Sequence, residues 1–271
     1  MAASASERLI SIDGGTELYV RCSGDETGSP IVLIPGWCYT GRVFDALLAR
    51  LPASYRTVTI DPRSHGRSPV ADAGNDYVQH GRDLAAVLES LDLRGVTLVG
   101  WSLGAYDALS YIEQFGAARV KALVVADESP YIVAREPDDW AEGGADDVEG
   151  LIAAVEQDFH GFFADYMRSG FVVAPADELV AQFVAAIGPM SADIAAGLLR
   201  AACAHDFTAL LRQLDAELAL HYVLREDWAD NARRWIQANT PRAAVDVFGN
   251  HLMLYEYPDR FAESVRRLAD S

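Results

Sequence analysis

Val96-Thr97-Leu98-Val99-Gly100-Trp101-Ser102-Leu103-Gly104 is the stretch on which the reading of this 271-residue chain turns. Residues 96–99 form a short apolar run rich in β-branched side chains, the composition of a strand buried on both faces of a parallel sheet. Beyond it Ala105, Ala108, Leu109, Ile112 and Phe115 recur at helical spacing, and Gly116 stands where a left-handed helix end wants a residue without a Cβ. A strand therefore breaks into a helix with one serine at the break. Gly100 and Gly104 flank that serine two residues to either side. A turn this tight crowds backbone against backbone, and glycine removes the side chains that would collide. The Ser102 hydroxyl then projects from a helix N-terminus, where the N–H of Leu103 and the helix dipole face any negative charge developing beside it. Ser102 is the candidate nucleophile, and the Leu103 amide is half of an oxyanion hole.

On the N-terminal side, residues 9–12 and 17–22, split by Asp13-Gly14-Gly15, read as an antiparallel hairpin at a sheet edge. Residues 31–34 are a buried strand ending at Pro35-Gly36-Trp37, and a helix is expected over 42–51. A strand over 57–60 leads into Asp61-Pro62-Arg63-Ser64-His65-Gly66-Arg67-Ser68, where Asp61 and Arg63 are expected to satisfy turn amides and to pair with each other. That is a structural role, which leaves His65 outside the chemistry. Leu84, Val87, Leu88 and Leu91 place an amphipathic helix over 78–91. Strand and helix alternate, the pattern of a parallel sheet covered by helices.

On the C-terminal side, a buried strand over 120–126 ends at Asp127-Glu128-Ser129-Pro130, a place where carboxylates collect in active sites. From 131 to about 214 the pattern changes to helical stretches, over 148–163, 176–187, 191–202 and 207–214, with no strand pair. The expected organisation is a core of residues 1–130 and 215–271 carrying a helical cap over 131–214. Trp140, Phe159, Phe162, Phe163, Tyr166, Met167 and Phe171 exceed what a small helical layer needs for its own core; some are expected to line an apolar pocket above Ser102, and the alternative, that they simply join cap to core, stands equal beside it. A strand over 218–224, the segment Arg225-Glu226-Asp227-Trp228, a helix to 236, a strand over 244–248, the loop Gly249-Asn250-His251 and an amphipathic helix over 258–268 complete the chain.

Hydrophobic residues at 51% and charged ones at 23% are ordinary globular usage, consistent with one large domain. A net charge of −18 repels phosphate backbones and anionic headgroups, which argues against nucleic acid and membrane as partners. Cys22, Cys38 and Cys203 form neither a C-x-x-C pair nor a disulfide framework. The first eight residues have no apolar core of signal-peptide length, and no run of ~18 apolar residues suggests a spanning helix. The expectation is a soluble, cytoplasmic protein without a cofactor. Its partners would be a small apolar substrate and, in a homo-oligomer, further copies of itself.

A serine is a poor nucleophile at neutral pH, so it needs a base in hydrogen-bond reach and the base needs an orienting carboxylate. Of six histidines, His65 and His80 precede the serine, His160 and His205 lie in the expected cap, His221 lies inside a strand, and His251 follows the final strand. The Gly-Trp-Ser-Leu-Gly elbow between strand and helix resembles the α/β-hydrolase superfamily. The 61–68 loop is similar to that superfamily's Asp-x-Arg-Gly-x-Gly-x-Ser loop, with Ser64 in place of a glycine. The resemblance implies an α/β fold: a mostly parallel twisted sheet, helices on both faces and an inserted helical cap. It also implies His251 as base and the Trp37 N–H as second oxyanion donor, with Trp37, Trp101 and Tyr131 against the substrate. The customary acid follows the penultimate strand, which offers Glu226, Asp227 and Asp230, but the usual glycine-containing turn is absent there and Trp228 intrudes. Some members take the acid from the preceding strand, where Asp127 follows Ser102 by 25 residues. Asp127 is slightly preferred, with Asp227 as the alternative.

The first activity this implies is a serine hydrolase of an ester, thioester or lactone. A more local resemblance points elsewhere: Leu33-Ile34-Pro35-Gly36-Trp37-Cys38, the Arg42-Val43 pair and Asp127 are similar to cofactor-free quinolone ring-cleaving dioxygenases of the same fold, in which histidine acts as base and serine is not acylated. Those enzymes carry histidines where this chain has Tyr39, Trp101 and Leu103. Without them a quinolone is poorly oriented, and this reading ranks second. A hydrolase-fold binding protein without turnover is the third.

Overall fold

The computed structural model describes residues 6–12 and 15–270. In chain order the strands are β1 (Ser6–Ser11), β2 (Glu17–Gly24), β3 (Pro30–Ile34), β4 (Arg56–Ile60), β5 (Val96–Trp101), β6 (Val120–Ala126), β7 (Ala219–Leu224) and β8 (Ala244–Val247). They form one sheet in the order β1-β2-β4-β3-β5-β6-β7-β8. β1 pairs antiparallel with β2 and β2 antiparallel with β4, while the pairs from β4 through β8 are parallel. The expected edge hairpin is present, although Asp13 and Gly14 of its turn lie outside the described residues, as do residues 1–5 of the N-terminal segment.

The central strands are buried along most of their length, β5 at every residue. Val32, Leu33, Leu98, Val99, Leu123 and Val124 are fully buried, and each apolar side chain removed from water contributes about 1.5–3 kcal/mol. That drive needs helices on the sheet, and α1 (Asp45–Leu48), α2 (Tyr77–Ser90) and α3 (Gly104–Phe115) follow β3, β4 and β5. Between β6 and β7 come α4 (Ala145–Gln157), α5 (Phe159–Ser169), α6 (Asp177–Ala186), α7 (Ala192–Ala202) and α8 (Thr208–Glu217), and α9 (Ala229–Asn239), α10 (Met253–Glu256) and α11 (Pro258–Ala269) close the chain. α3 packs on β3, β5 and β6, α11 lies across β5, β6 and β7, and α8 packs on β7 and α9. No helix among the described residues is long and apolar enough to cross a membrane.

Three local expectations are corrected. The helix expected over 42–51 is a 3-10 turn, Gly41–Phe44, running into the single turn of α1. Asp61 grips the Gly41 amide at 2.8 Å and the Thr40 hydroxyl caps the turn, so the segment winds tightly from its start. The helix expected over 148–163 is broken at Asp158, which leaves helical geometry and caps α5 through the Gly161 amide at 3.1 Å. Arg63 does not pair with Asp61. Its guanidinium forks onto buried Asp83 at 2.9 and 2.7 Å, while Asp61 accepts from the amides of Gly41 and Arg67. His65 is buried beside it with Nδ1 on the Arg63 carbonyl, and burial first, then neighbouring His80, pushes the imidazole down to about 3.

The sheet order reverses between β3 and β5: from β3 the chain goes to β4 on one side, and it returns to β5 on the other. Parallel sheets open a crevice at the carboxyl ends of the strands where the order reverses. The loop after β3 carries Gly36 and Trp37, and the turn after β5 carries Ser102.

Candidate active site

Ser102 leaves β5 with φ 53°, a left-handed backbone that a residue with a side chain holds only when its surroundings compel it. The compulsion is visible. Its N–H donates to the Ala126 carbonyl at 2.8 Å, and the flanking glycines let three backbone segments meet around it. A Cβ on Gly100 would stand 2.4 Å from the Ala105 Cα, one on Gly104 would stand 2.3 Å from the Ile34 carbonyl oxygen, and one on Gly36 would stand 2.7 Å from the Ser102 Cβ. Among the described residues, the amides of Trp37 and Leu103 donate no hydrogen bond. Two free N–H groups therefore border the serine, one from each side of the crevice. α3 begins at Gly104, so its amino end adds a favourable dipole there.

Asp127 continues β6 with φ 52°, its N–H on the Val223 carbonyl at 2.8 Å. The carboxylate is fully buried and its Oδ2 lies 2.6 Å from Nδ1 of His251. Oδ1 accepts the Arg225 backbone N–H at 3.1 Å, and the Arg225 Nη1 donates to Oδ2 at 3.2 Å. Burial alone would raise this carboxyl, but the guanidinium of Arg225 and the hydrogen bond from His251 outweigh it and hold Asp127 below the usual carboxylate range. Asp227 is placed elsewhere. Its side chain is 73% exposed and faces Nε of Arg225 at 3.1 Å, while the same guanidinium stacks 3.5 Å over the Trp228 ring. The Trp228 that displaces the customary turn is thus the platform for Arg225.

His251 follows β8 in a loop that bends at Gly249, φ 68°, where a Cβ would run into the Tyr257 ring at 2.8 Å. Its N–H donates to Asn250 Oδ1 at 2.8 Å and its carbonyl accepts from the Trp101 indole at 2.9 Å. With the Nδ1 proton directed to Asp127, Nε2 is an acceptor, and the hydroxyl of Tyr166 stands 3.3 Å from it. Among the described residues no hydrogen bond joins the Ser102 hydroxyl to His251.

A cleft covers the serine. Trp37, Ser102, Leu103, Glu128, Ile132, Glu142, Phe162, Tyr166 and Leu199 contribute to its wall. The cavity is narrow, about 50 Å³ within a cleft of about 550 Å³ that opens to solvent. The Trp37 indole donates to the Ala195 carbonyl at 2.8 Å, which ties α7 to the loop after β3. Phe162 and Tyr166, two of the aromatics expected over the serine, line the cleft, whereas Trp140 packs on Tyr222 and Trp235. Trp101 and Tyr131 are not in the wall. Trp101 is wholly buried behind His251, ring centroids 4.9 Å apart, and the Tyr131 ring lies under the Arg135 guanidinium while its neighbour Ile132 faces the cleft. Glu128, Glu142, Tyr166 as a partner of the base, and Arg225 were not foreseen as site residues. Glu128 had one visible signal, a second carboxylate directly behind Asp127 at the end of a buried strand. No group of three or more His, Cys, Asp or Glu side chains among the described residues converges as a metal site.

The profile of the alpha/beta hydrolase family matches residues 31–264. The chain belongs to that family. Among curated relatives, this alpha/beta hydrolase is 30% identical over 174 residues to a non-heme chloroperoxidase of Streptomyces lividans, covering 61% of this chain and 63% of that one. It is 28% identical over 141 residues to a 2-heptyl-3-hydroxy-4(1H)-quinolone dioxygenase of Mycobacteroides abscessus, covering 48% and 52%. The chain thus spans about half to three fifths of the length of these relatives. Among solved structures it superposes on a bromoperoxidase from Bacillus anthracis with a TM-score of 0.88, at 23% identity, over 98% of this chain and 100% of that one. The fold extends across the whole alpha/beta hydrolase, including the helical segment between β6 and β7.

Proposed function

We propose that the chain is a serine hydrolase that cleaves a small ester, thioester or lactone with a mainly apolar body through an acyl-enzyme. His251 takes the Ser102 proton on Nε2 as Oγ forms its bond to the substrate carbonyl carbon. The charge that develops on the carbonyl oxygen is received by the N–H groups of Trp37 and Leu103. Collapse breaks the bond to the leaving alcohol or thiol, which takes the proton back from His251. Water, deprotonated by the same imidazole, then releases the acid and restores Ser102. Asp127 holds the ring in the tautomer that the step requires and Arg225 holds Asp127, which makes Arg225 a positioning residue. The observation that carries the reading is the pair of unengaged amides flanking a serine held in left-handed backbone. In the free protein Nε2 is occupied by the Tyr166 hydroxyl, and catalytic hydrogen bonds commonly tighten only when substrate is present.

That contact between Tyr166 and Nε2 also favours a second reading. With Asp127 after β6, a base directed at something other than the serine suits a cofactor-free dioxygenase that deprotonates a 3-hydroxy-4-quinolone. One experiment separates the two. Wild type and Ser102→Ala are assayed against p-nitrophenyl acetate and butyrate, with oxygen uptake followed on the quinolone. Ester cleavage that disappears in Ser102→Ala is expected; oxygen uptake that survives the substitution transfers the assignment to the dioxygenase.

A further inference from the structure

Two carboxylates in the cleft have no part in that chemistry. Glu128 is 2% exposed, and its Oε1 accepts from the Ser129 amide at 2.8 Å and from the Ser129 hydroxyl at 3.3 Å. Its other oxygen takes no hydrogen bond from the described residues, and the side chain lines the cleft beside Ser102 and Leu103. Glu142 lines the same cleft, and among the described residues its carboxylate has neither an ion pair nor a hydrogen bond. The charged groups around the two are Asp127, Asp227, Arg225 and, when protonated, His251. Arg225 is already engaged by Asp127 and Asp227, so the cleft end holds more carboxylate than cation.

Burial first, and the charge of Glu142 second, push Glu128 well above the usual carboxylate range. Glu142 is exposed to water in the free protein, so a neutral acyl chain placed here would strip that water from it while leaving buried Glu128 without a counter-charge, an arrangement that costs more than it returns. A cation would relieve it. The rest of the wall agrees, because three rings border the same space. Trp37 meets Phe162 and Tyr166 edge-on at 6.2 Å each, and Phe162 stacks on Tyr166 at 6.1 Å. Aromatic faces combined with a carboxylate are the chemistry that binds alkylated ammonium groups, and the net charge of −18 raises the local concentration of cations.

We propose that Glu128 and Glu142, with the rings of Trp37, Phe162 and Tyr166, form a recognition site for an alkylammonium group, so that the ester cleaved at Ser102 carries a cationic head on its apolar body. The substrate class rests on the hydrolase reading; the cation site itself does not.

The test uses a matched pair, ethyl 4-(dimethylamino)butanoate and its neutral isostere ethyl 5-methylhexanoate, followed by proton release near neutral pH. Wild type is expected to prefer the ammonium ester by about tenfold or more in kcat/KM, the size of one partly desolvated cation–π contact. Glu128→Gln brings the ratio close to one, and Glu142→Gln lowers it in part. Equal ratios in wild type and Glu128→Gln, or a wild-type preference for the neutral ester, overturn the proposal. If Glu128→Gln fails to fold, Glu142→Gln decides, since an unchanged ratio there also counts against the site. A second arm needs no turnover: N,N-dimethylbutylammonium chloride is expected to raise the Tm of wild type above an equal concentration of sodium chloride, and to do so no longer in Glu128→Gln. If neither ester is cleaved, the hydrolase reading falls and the Tm arm alone decides the cation site.

Discussion

Ser102 and Asp127 leave neighbouring parallel strands in the same left-handed conformation, φ 53° and 52°, one residue beyond the paired Trp101 and Ala126. The same ladder that joins the strands continues into the site, through the Ser102 amide on Ala126 and the Asp127 amide on Val223. The proposed nucleophile and acid are thus placed by one device used twice. A left-handed backbone costs a residue with a Cβ about 1–2 kcal/mol, and glycine escapes that cost. Ser102→Gly and Ser102→Ala both lack the nucleophile, but Ser102→Gly is expected to be the more stable by about 1 kcal/mol in urea unfolding. Equal midpoints and slopes would show that the turn stores no strain.

The carboxylate that orients His251 is predicted to be Asp127 alone. Asp127→Asn keeps the shape but removes the preference for the Nδ1 proton, and a loss of about 10²–10⁴ in kcat is expected. Asp227, 73% exposed, is expected to tolerate Asn within about threefold. Parallel esterase assays of the two variants check this, and a comparable loss in both would count against the assignment.

Arg225 is predicted to govern acid stability through Asp127. Because the folded-state carboxyl is held below its ordinary value, its contribution is present above the unfolded value of about 3.9 and is lost as pH falls through the lower folded one. Arg225→Met removes the guanidinium while burial remains, so the carboxyl rises and the variant loses about 3 kcal/mol at neutral pH. The gap from wild type should narrow toward pH 4 as Asp127 takes up its proton. Denaturant titrations across that range read the trend, and a gap that widens in acid contradicts it.

Glu128 gives the opposite sign. Its carboxyl is raised in the folded protein, so the stability associated with its protonated form is present below the unfolded value of about 4.3 and falls away as pH rises toward the folded one. Glu128→Gln never bears the charge. It is expected to match wild type in Tm near pH 4 and to exceed it at pH 8, and a variant less stable than wild type at pH 8 would refute the direction.

Most of the frame could be read from the chain because burial on two faces writes itself as unbroken apolar runs. Residues 31–34, 96–99 and 120–126 are all strands, and the glycines around Ser102 announced a turn whose clearances now measure under 3 Å. The misreadings share a cause, a polar side chain whose partner apolar periodicity does not mark. Arg63 went to Asp83 rather than to Asp61 in its own loop, and Asp158 turned aside to cap a second helix inside one apolar periodicity. Trp101, beside the serine in sequence, was expected against substrate but is claimed by the carbonyl of His251, 150 residues away. Arg225 is one more case, a guanidinium whose purpose appears only when β6 and β7 lie side by side. Periodicity reports which face is dry, and it carries no information about which charges meet there.

His251, the proposed base, reaches Asp127 across 124 residues of chain, whereas Ser102 and Asp127 come from a single strand-helix-strand unit. Viewed as a sequence of events during synthesis, at about 5–20 residues per second, roughly 6–25 seconds separate the emergence of Asp127 from that of His251. Throughout that interval a nascent chain holds Ser102 and Asp127 without His251 to join them. A product truncated before His251 therefore lacks the proposed base, and on the proposed mechanism it is expected to be inert however well β5 and β6 have paired.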